Sequence, residues 1–319
     1  MTIAVPGVPL GSSGIQVSRL ALGSWRTYER ISREQGIGVM RAARDAGITF
    51  LDDARYNDET GKAPIPTGHS EVIFGDLFRA AGWRRDSTVV SNKLWWEFWP
   101  AQSPAQELAG SLGRMRFDYV DLIYSVPPPD GVPLEEAVEM IGAMIRDGAA
   151  LSWGTLNWPP DQIERAWQFA QRHSIPGPAA TQPPYSLLQR EEVEDPLMQR
   201  LAAARGVAIV ASYALAGGVL TGKYDQDRSA GRAAGALEQP RVRSAVAAGR
   251  DLAALAREIG RDPAHLALAF ALLNPSVTAV LFGATRPEQV SSNVAALEVA
   301  DALTPDERGR LAAIGRPAG

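Results

Sequence analysis

Short apolar runs rich in β-branched residues recur along the chain, and each is followed by a longer stretch whose apolar positions fall at helical spacing. The strand-like runs are residues 20–22, 49–51, 88–91, 120–124, 151–155, 179–182, 207–212 and 278–281. Helix signals lie between them. Ser32 with Gln35 spells a capping box, Ser70 opens a stripe of Ile73, Phe74, Leu77, Phe78 and Ala81, and Asp262 caps ahead of Pro263. Thr304-Pro305-Asp306-Glu307 repeats that start for an extra C-terminal helix. The strand runs are almost wholly apolar, as expected for strands covered on both faces. Eight strand–helix alternations without a break in composition predict an α/β fold, a closed (β/α)8 TIM barrel formed by residues 1–319 as one domain. A doubly wound open sheet is the runner-up, but no G-x-G-x-x-G follows a strand. Residues 8–18 predict a β-hairpin ahead of the first barrel strand, and residues 217–240 a long functional connection after the seventh.

Composition narrows the chemistry. With no cysteine among 319 residues, disulfides, zinc ribbons, iron–sulfur clusters and thiol nucleophiles are excluded. Three separated histidines (His69, His173 and His265) argue against a histidine-rich metal site, so no metal is expected. A net charge of −4 gives no broad basic face for nucleic acid. Residues 1–14 have no basic, apolar leader pattern, and no run of about 18 apolar residues occurs; no membrane partner and a cytoplasmic location are the expectation.

In a barrel, chemistry gathers at the C-terminal strand ends. Those ends carry Gly23-Ser24-Trp25, Asp52-Asp53, Asn92-Lys93, Ser125-Val126, Leu156-Asn157-Trp158, Gln182, Tyr213 and Gly283-Ala284-Thr285. The alternative reading is that these residues cap strands and bond loop backbone. Asp52 and Lys93 end neighbouring strands and would pair, and the positive end of that pair is expected to lower the pKa of the Tyr56 phenol. Such a group suits general acid catalysis, the phenol protonating a carbonyl oxygen as hydride reaches carbon. A structural salt bridge with Tyr56 packed beside it is the alternative. Gly217-Gly218-Val219-Leu220-Thr221-Gly222-Lys223-Tyr224 nearly matches a Walker A loop, but Tyr224 stands where the Mg²⁺-binding hydroxyl belongs, so a nucleoside triphosphatase is rejected. The loop with Lys223, and Arg228, Arg232 and Arg286 beside it, still suits phosphate. Trp95, Trp96, Phe98 and Trp99 either wall a pocket or pack beneath their loop, and the insertion at 57–68 is a candidate rim.

Taken in order, these motifs resemble the aldo-keto reductases, from Leu10-Gly11 and Leu22-Gly23-Ser24-Trp25 through Asp52, Asn92-Lys93 and Trp153-Gly154-Thr155. The match continues to Gln182, the Gly217–Tyr224 loop, Gly283-Ala284-Thr285, Gln289 and Asn293, and is nearest the branch of voltage-gated potassium-channel β subunits and related bacterial reductases. The resemblance implies NADPH bound along the C-terminal mouth. Ser24, Trp25 and Asp52 would face the cofactor, and Asn157 and Gln182 would hold the carboxamide. Tyr213 would stack on nicotinamide. Leu215, Gly217, Lys223 and Arg232 would follow the pyrophosphate, and Gly283, Thr285, Gln289 and Asn293 would hold the adenosine phosphate. Asp52, Tyr56 and Lys93 would be catalytic, with Trp25, Trp95, Trp96 and Val126 against substrate.

Departures from the family pattern are as informative. The family's Tyr follows its Asp by five residues, where this chain has Asn57, and Tyr56 comes one residue early. The family's His position is Val126, and the usual Ser before Asn157 is Leu156. His69 on the inserted loop is a weak substitute. The leading expectation is an NADPH-dependent oxidoreductase reducing a carbonyl, or an imine, of a fairly apolar small molecule, with a homo-oligomer compatible. The alternatives are an atypical step such as cyclisation or dehydration, and an NADPH-sensing regulatory protein.

Overall fold

The computed structural model describes residues 4–222 and 240–316, with the side chains of 240–243 left aside. Two short strands, β1 (Gly7–Pro9) and β2 (Gln16–Ser18), pair antiparallel, with Val8 opposite Val17. Eight more strands follow: β3 (Leu20–Gly23), β4 (Phe50–Asp52), β5 (Val89–Leu94), β6 (Val120–Ser125), β7 (Ala150–Leu156), β8 (Ala180–Gln182), β9 (Ala208–Ala211) and β10 (Val277–Phe282). They are all parallel and close into a barrel in which β10 returns to β3. Closure bears out the predicted (β/α)8 barrel with its N-terminal hairpin and removes the open-sheet alternative.

The helices α1 (Arg33–Asp45), α2 (His69–Ala80), α3 (Pro104–Met115), α4 (Leu134–Arg146) and α5 (Pro160–Arg172) cover the first five barrel strands. After β8 come α6 (Glu191–Glu194) and α7 (Pro196–Arg205); after β9 come α8 (Pro240–Glu258) and α9 (Pro263–Leu272). Following β10, α10 (Pro287–Val294), α11 (Ala296–Ala302) and α12 (Pro305–Ala313) complete the chain. The capping boxes at Ser32 and Thr304 form as the sequence predicts, and Asp262 caps α9. Ser70 is different. Helix α2 begins one residue earlier, behind left-handed Gly68, and the Ser70 hydroxyl instead donates to the Ala54 carbonyl at 2.8 Å and accepts the Tyr56 amide at 3.3 Å. It ties down the loop leaving β4.

The hairpin seals the N-terminal end of the barrel. Leu10 and Val17 join Phe50, Leu122, Tyr124 and Val210 in the interior cluster. Gly11 lets the hairpin sit this close: its φ is +53°, and a Cβ there would stand 2.2 Å from the Gly206 carbonyl oxygen. With that end filled by aliphatic side chains, polar groups on inward-facing strand positions can reach water or ligand only at the opposite mouth. The strands also run further toward that mouth than apolar pattern alone predicts. Strand β5 continues through Asn92 and Lys93 because each finds a buried partner, Asn92 donating to Glu71 at 2.9 Å and Lys93 to Asp52 at 2.7 Å.

Candidate active site

Strand β4 ends on Asp52 and its neighbour β5 carries Lys93, two residues beyond Ser91, the register partner of Asp52. The Lys93 Nζ stands 2.7 Å from Asp52 Oδ2, and both residues are buried. The other carboxylate oxygen accepts from Ser91 Oγ at 2.6 Å and from Gln182 Nε2 at 3.1 Å. A buried ion pair is tolerable only when its remaining lone pairs and protons are also engaged, and here the acceptors of Asp52 are. Two further Lys93 contacts, each at 3.4 Å, go to the Asp53 carbonyl and to the Tyr56 hydroxyl.

Tyr56 therefore reaches Lys93 although it comes one residue early. The inserted loop explains how. Asn57 bridges to Thr67, the Asp58 amide donates to the Pro66 carbonyl at 2.8 Å, and the Gly68 amide donates to the Tyr56 carbonyl at 2.9 Å. Residues 57–67 thus fold out and return as a closed flap, leaving Tyr56 at its root over the barrel mouth. Asn57, at the expected Tyr position, is exposed and donates to Glu97 at 3.3 Å. The expectation that Lys93 lowers the phenol pKa is corrected. Burial, then the Asp52 and Asp53 carboxylates, push the phenol well above its ordinary range, with only the Ser24 hydroxyl opposing them. Lys93, paired with Asp52 at 2.7 Å, does not outweigh them. The phenol keeps its proton at neutral pH, which equips it to give one.

A cavity of about 1840 Å³ opens above this group. Trp25, Tyr56, Lys93 and Trp95 line it, as do Arg26, Arg30 and Glu59; Glu59, on the flap, pairs with Arg26 at 2.6 Å and Arg30 at 2.9 Å. Asn157, Gln182, Tyr213, Leu215, Gly283, Thr285 and Gln289 also line it. Asn157 (φ 56°) and Tyr213 (φ 59°) hold left-handed backbone unusual for such residues, and both present exposed side chains to the cavity. Beside Tyr213, Ala216, Gly217 and Gly218 are left-handed in succession and turn main chain toward it. Gln289 Oε1 accepts from the Thr285 and Arg286 amides, fixing the start of α10.

Four expected site residues lie elsewhere. Ser24 is buried beneath the wall, where its hydroxyl bonds Asp53. Trp96 is buried too, its indole donating to Ser125 Oγ at 2.9 Å, and so is not part of the wall. Val126 packs against the core with its amide on the Leu94 carbonyl at 3.1 Å, and Asn293 is buried in α10 behind Gln289. His69 opens α2 and does not line the cavity. Lys223, Arg228 and Arg232 lie outside the described residues.

The split between Trp95 and Trp96 is set by Glu107, whose carboxylate accepts both amides at 3.0 and 3.1 Å while pairing with buried Arg55 at 3.1 Å. Removing Arg55 would leave that carboxylate with amide donors only. Arg55→Met is therefore expected to lower stability by about 2–3 kcal/mol, less than a fully orphaned charge costs, and chemical denaturation measures it.

Comparison with known proteins fits this geometry. The profile of the family described as Aldo/keto reductase family matches residues 19–316. The chain belongs to the aldo/keto reductase family. It is 35% identical over 323 residues to a probable voltage-gated potassium channel subunit beta of Oryza sativa subsp. japonica, covering 96% of this chain and 95% of that protein. A probable subunit of the same description from Arabidopsis thaliana is 33% identical (93% and 92% covered), and a putative one from Schizosaccharomyces pombe is 33% identical (95% and 91%). Membership of the aldo/keto reductases supports an oxidoreductase using a nicotinamide dinucleotide. Among the described residues no helix is long and apolar enough to cross a membrane, and no group of three or more acidic or histidine side chains is placed to hold a metal.

For an aldo/keto reductase the residues around the cavity fit that cofactor. Exposed Asn157 lines the cavity, and the buried Gln189 Oε1 on the wall has no hydrogen-bond partner among the described residues. One residue that sequence reasoning left without a role is Asp53. The doublet Asp52-Asp53 marked it, but nothing in the sequence told that its carboxyl would be buried beside Ser24.

Proposed function

We propose that this aldo/keto reductase is an NADPH-dependent enzyme that reduces the carbonyl, or the imine, of a fairly apolar small molecule. The observation that carries the reading is the Tyr56 hydroxyl held at Lys93 in a cavity also lined by Trp25 and Trp95. Bound NADPH supplies hydride to the carbonyl carbon. Tyr56 gives its proton to the carbonyl oxygen, Lys93 steadies the phenol oxygen as charge develops there, and Asp52 keeps Lys93 in place. Trp25 and Trp95 supply the apolar wall. Val126 offers no donor to the substrate oxygen, so Tyr56 carries that contact without a second side chain from this position.

Asn157 and Gln182 would hold the carboxamide, Tyr213 would stack on the ring, and Leu215 and Gly217 would follow the pyrophosphate. Thr285, Arg286 and Gln289 would take the adenosine phosphate at the start of α10, where the helix dipole favours an anion. Exposed Arg286 is then the group that distinguishes NADPH from NADH. Arg286→Ala is expected to weaken NADPH binding about tenfold and to leave NADH binding unchanged, as read by fluorescence titration. Equal losses for both nucleotides remove Arg286 from this role. One NADPH oxidised per aldehyde or ketone consumed supports the reductase. Substrate consumption without oxidation favours cyclisation or dehydration instead. The relatives' name as channel subunits gives a regulatory reading, which predicts tight NADPH binding, no turnover and a protein partner.

A further inference from the structure

The flap rooted at Tyr56 is tied down on two sides. On one side Asn57 donates to Glu97 Oε1 at 3.3 Å, and buried Arg55 donates to Glu97 Oε2 and to Thr67 Oγ1, each at 2.9 Å. Glu97 follows the wall residue Trp95 by two positions. On the other side Glu59 reaches the segment leaving β3. Its Oε1 accepts from Arg26 Nη2 at 2.7 Å and its Oε2 from Arg30 Nη2 at 2.9 Å, so a different guanidinium takes each carboxylate oxygen. The turn presenting Glu59 is braced from within. Asp58 Oδ1 accepts the Thr60 amide and hydroxyl at 2.8 and 2.7 Å, and its Oδ2 accepts the Ala63 amide at 3.1 Å.

Arg26 passes this tie on to the cavity wall. Its guanidinium lies over the Trp25 ring, 4.8 Å from the centroid. Its backbone is left-handed (φ 53°), a conformation that persists only where surrounding contacts hold it. Trp25 itself is 38% exposed and lines the cavity, so its ring needs such support to keep one position. Arg30 extends the tie into a network, meeting Glu29 at 3.4 Å as well as Glu59. The two indole walls thus stand just beyond β3 and β5, and the flap beyond β4 is bonded toward both.

We infer that Glu59 is a specificity-determining residue, which through Arg26 and Arg30 fixes the Trp25 wall relative to Tyr56 and Trp95 and so favours flat, apolar carbonyl compounds over branched ones. Aromatic rings held in place stack on flat groups, whereas a wall free to swing also admits thicker ones. Glu59 acts through Arg26 and is a positioning residue. Its ion pairs are exposed, each side chain by a third or more, so the clamp shapes the pocket and adds little to the stability of the fold. The inference rests on the reductase reading for its substrates, but the clamp can be read without any.

Hydrogen–deuterium exchange of the full-length protein provides that reading. Glu59→Gln keeps the size of the side chain and removes its charge. It is expected to speed exchange in residues 24–31 as well as in the flap, relative to the barrel strands. Salt at about 0.5 M is expected to do the same to wild type and to add nothing to the variant. Unchanged exchange at 24–31 overturns the clamp, and the salt arm on wild type stands if the variant does not fold. In kinetics the probes are benzaldehyde, flat, and pivalaldehyde, branched. Glu59→Gln is expected to raise KM for benzaldehyde about fivefold, with a smaller change in kcat, and to lower the benzaldehyde-over-pivalaldehyde ratio of kcat/KM. Arg26→Gln should act alike, and the double variant should cost no more than either change alone. Additive losses, or a wild-type ratio despite faster exchange, overturn the role in specificity. Failure of the reductase reading looks different: exchange responds as expected and neither aldehyde is reduced. Calorimetric binding of the same aldehydes to the NADP⁺-loaded protein then gives the ratio, and an unmoved ratio again overturns the inference.

Discussion

Tyr56→Phe is expected to lower kcat for carbonyl reduction by about 10²–10⁴-fold, with NADPH affinity and fold intact. The change deletes one oxygen. The ring stays against Trp95, 6.2 Å between centroids, and the main-chain amide of residue 56 still bonds Ser70 Oγ, so the flap root keeps its place. What disappears is the only hydroxyl that both contacts Lys93 and lines the cavity among the described residues. Without it the developing alkoxide must take its proton from water, and neither Val126 nor Trp96 can substitute, because one has no donor and the other is committed to Ser125. The raised phenol pKa also fixes the sign of the pH response. Wild type holds its donor protonated through neutrality, and only above the ordinary phenol range does the donor run out. The variant lacks that limb. Turnover within about twofold of wild type would remove Tyr56 from the role assigned to it.

The barrel was legible because its signals are redundant. Eight apolar runs, each backed by a helix start such as Ser32 or Asp262, leave few other ways of burying that surface. The polar strand ends were legible for a related reason. A charged residue after an apolar run, Asp52 or Lys93, must find a partner, and parallel neighbours supply one. Legibility failed where a side chain's direction depends on a distant residue. Trp95 and Trp96 are indistinguishable in sequence, and their separation follows from Glu107, on a helix that starts nine residues further on, clamping both amides. Ser70 looks like a helix cap until Ala54 claims its hydroxyl. Asp53 and Ser24 lie on adjacent strand ends 29 residues apart, and only closure of β3 onto β4 brings them together. The phenol pKa escapes the sequence for the same reason: proximity to Lys93 is readable there, but burial of the phenol beside two carboxylates is not.

Lys93→Met should be the variant that damages both fold and chemistry. Methionine matches the buried stem in length but leaves Asp52, 2% exposed, with no counterion. Breaking a buried pair from one side costs about 3–5 kcal/mol, because the remaining charge must stay desolvated or take up a proton. The double variant Asp52→Asn with Lys93→Met separates the two effects. Asparagine keeps a carbonyl oxygen for Ser91 and Gln182 while carrying no charge, so the double variant should recover most of the stability lost in Lys93→Met. It should not recover turnover, because no ammonium remains to steady the Tyr56 oxygen. Denaturant midpoints and kcat measured on wild type, Lys93→Met and the double variant give both answers. Recovery of kcat along with stability would mean that Lys93 serves only to neutralise Asp52; recovery of stability alone assigns it to the proton transfer.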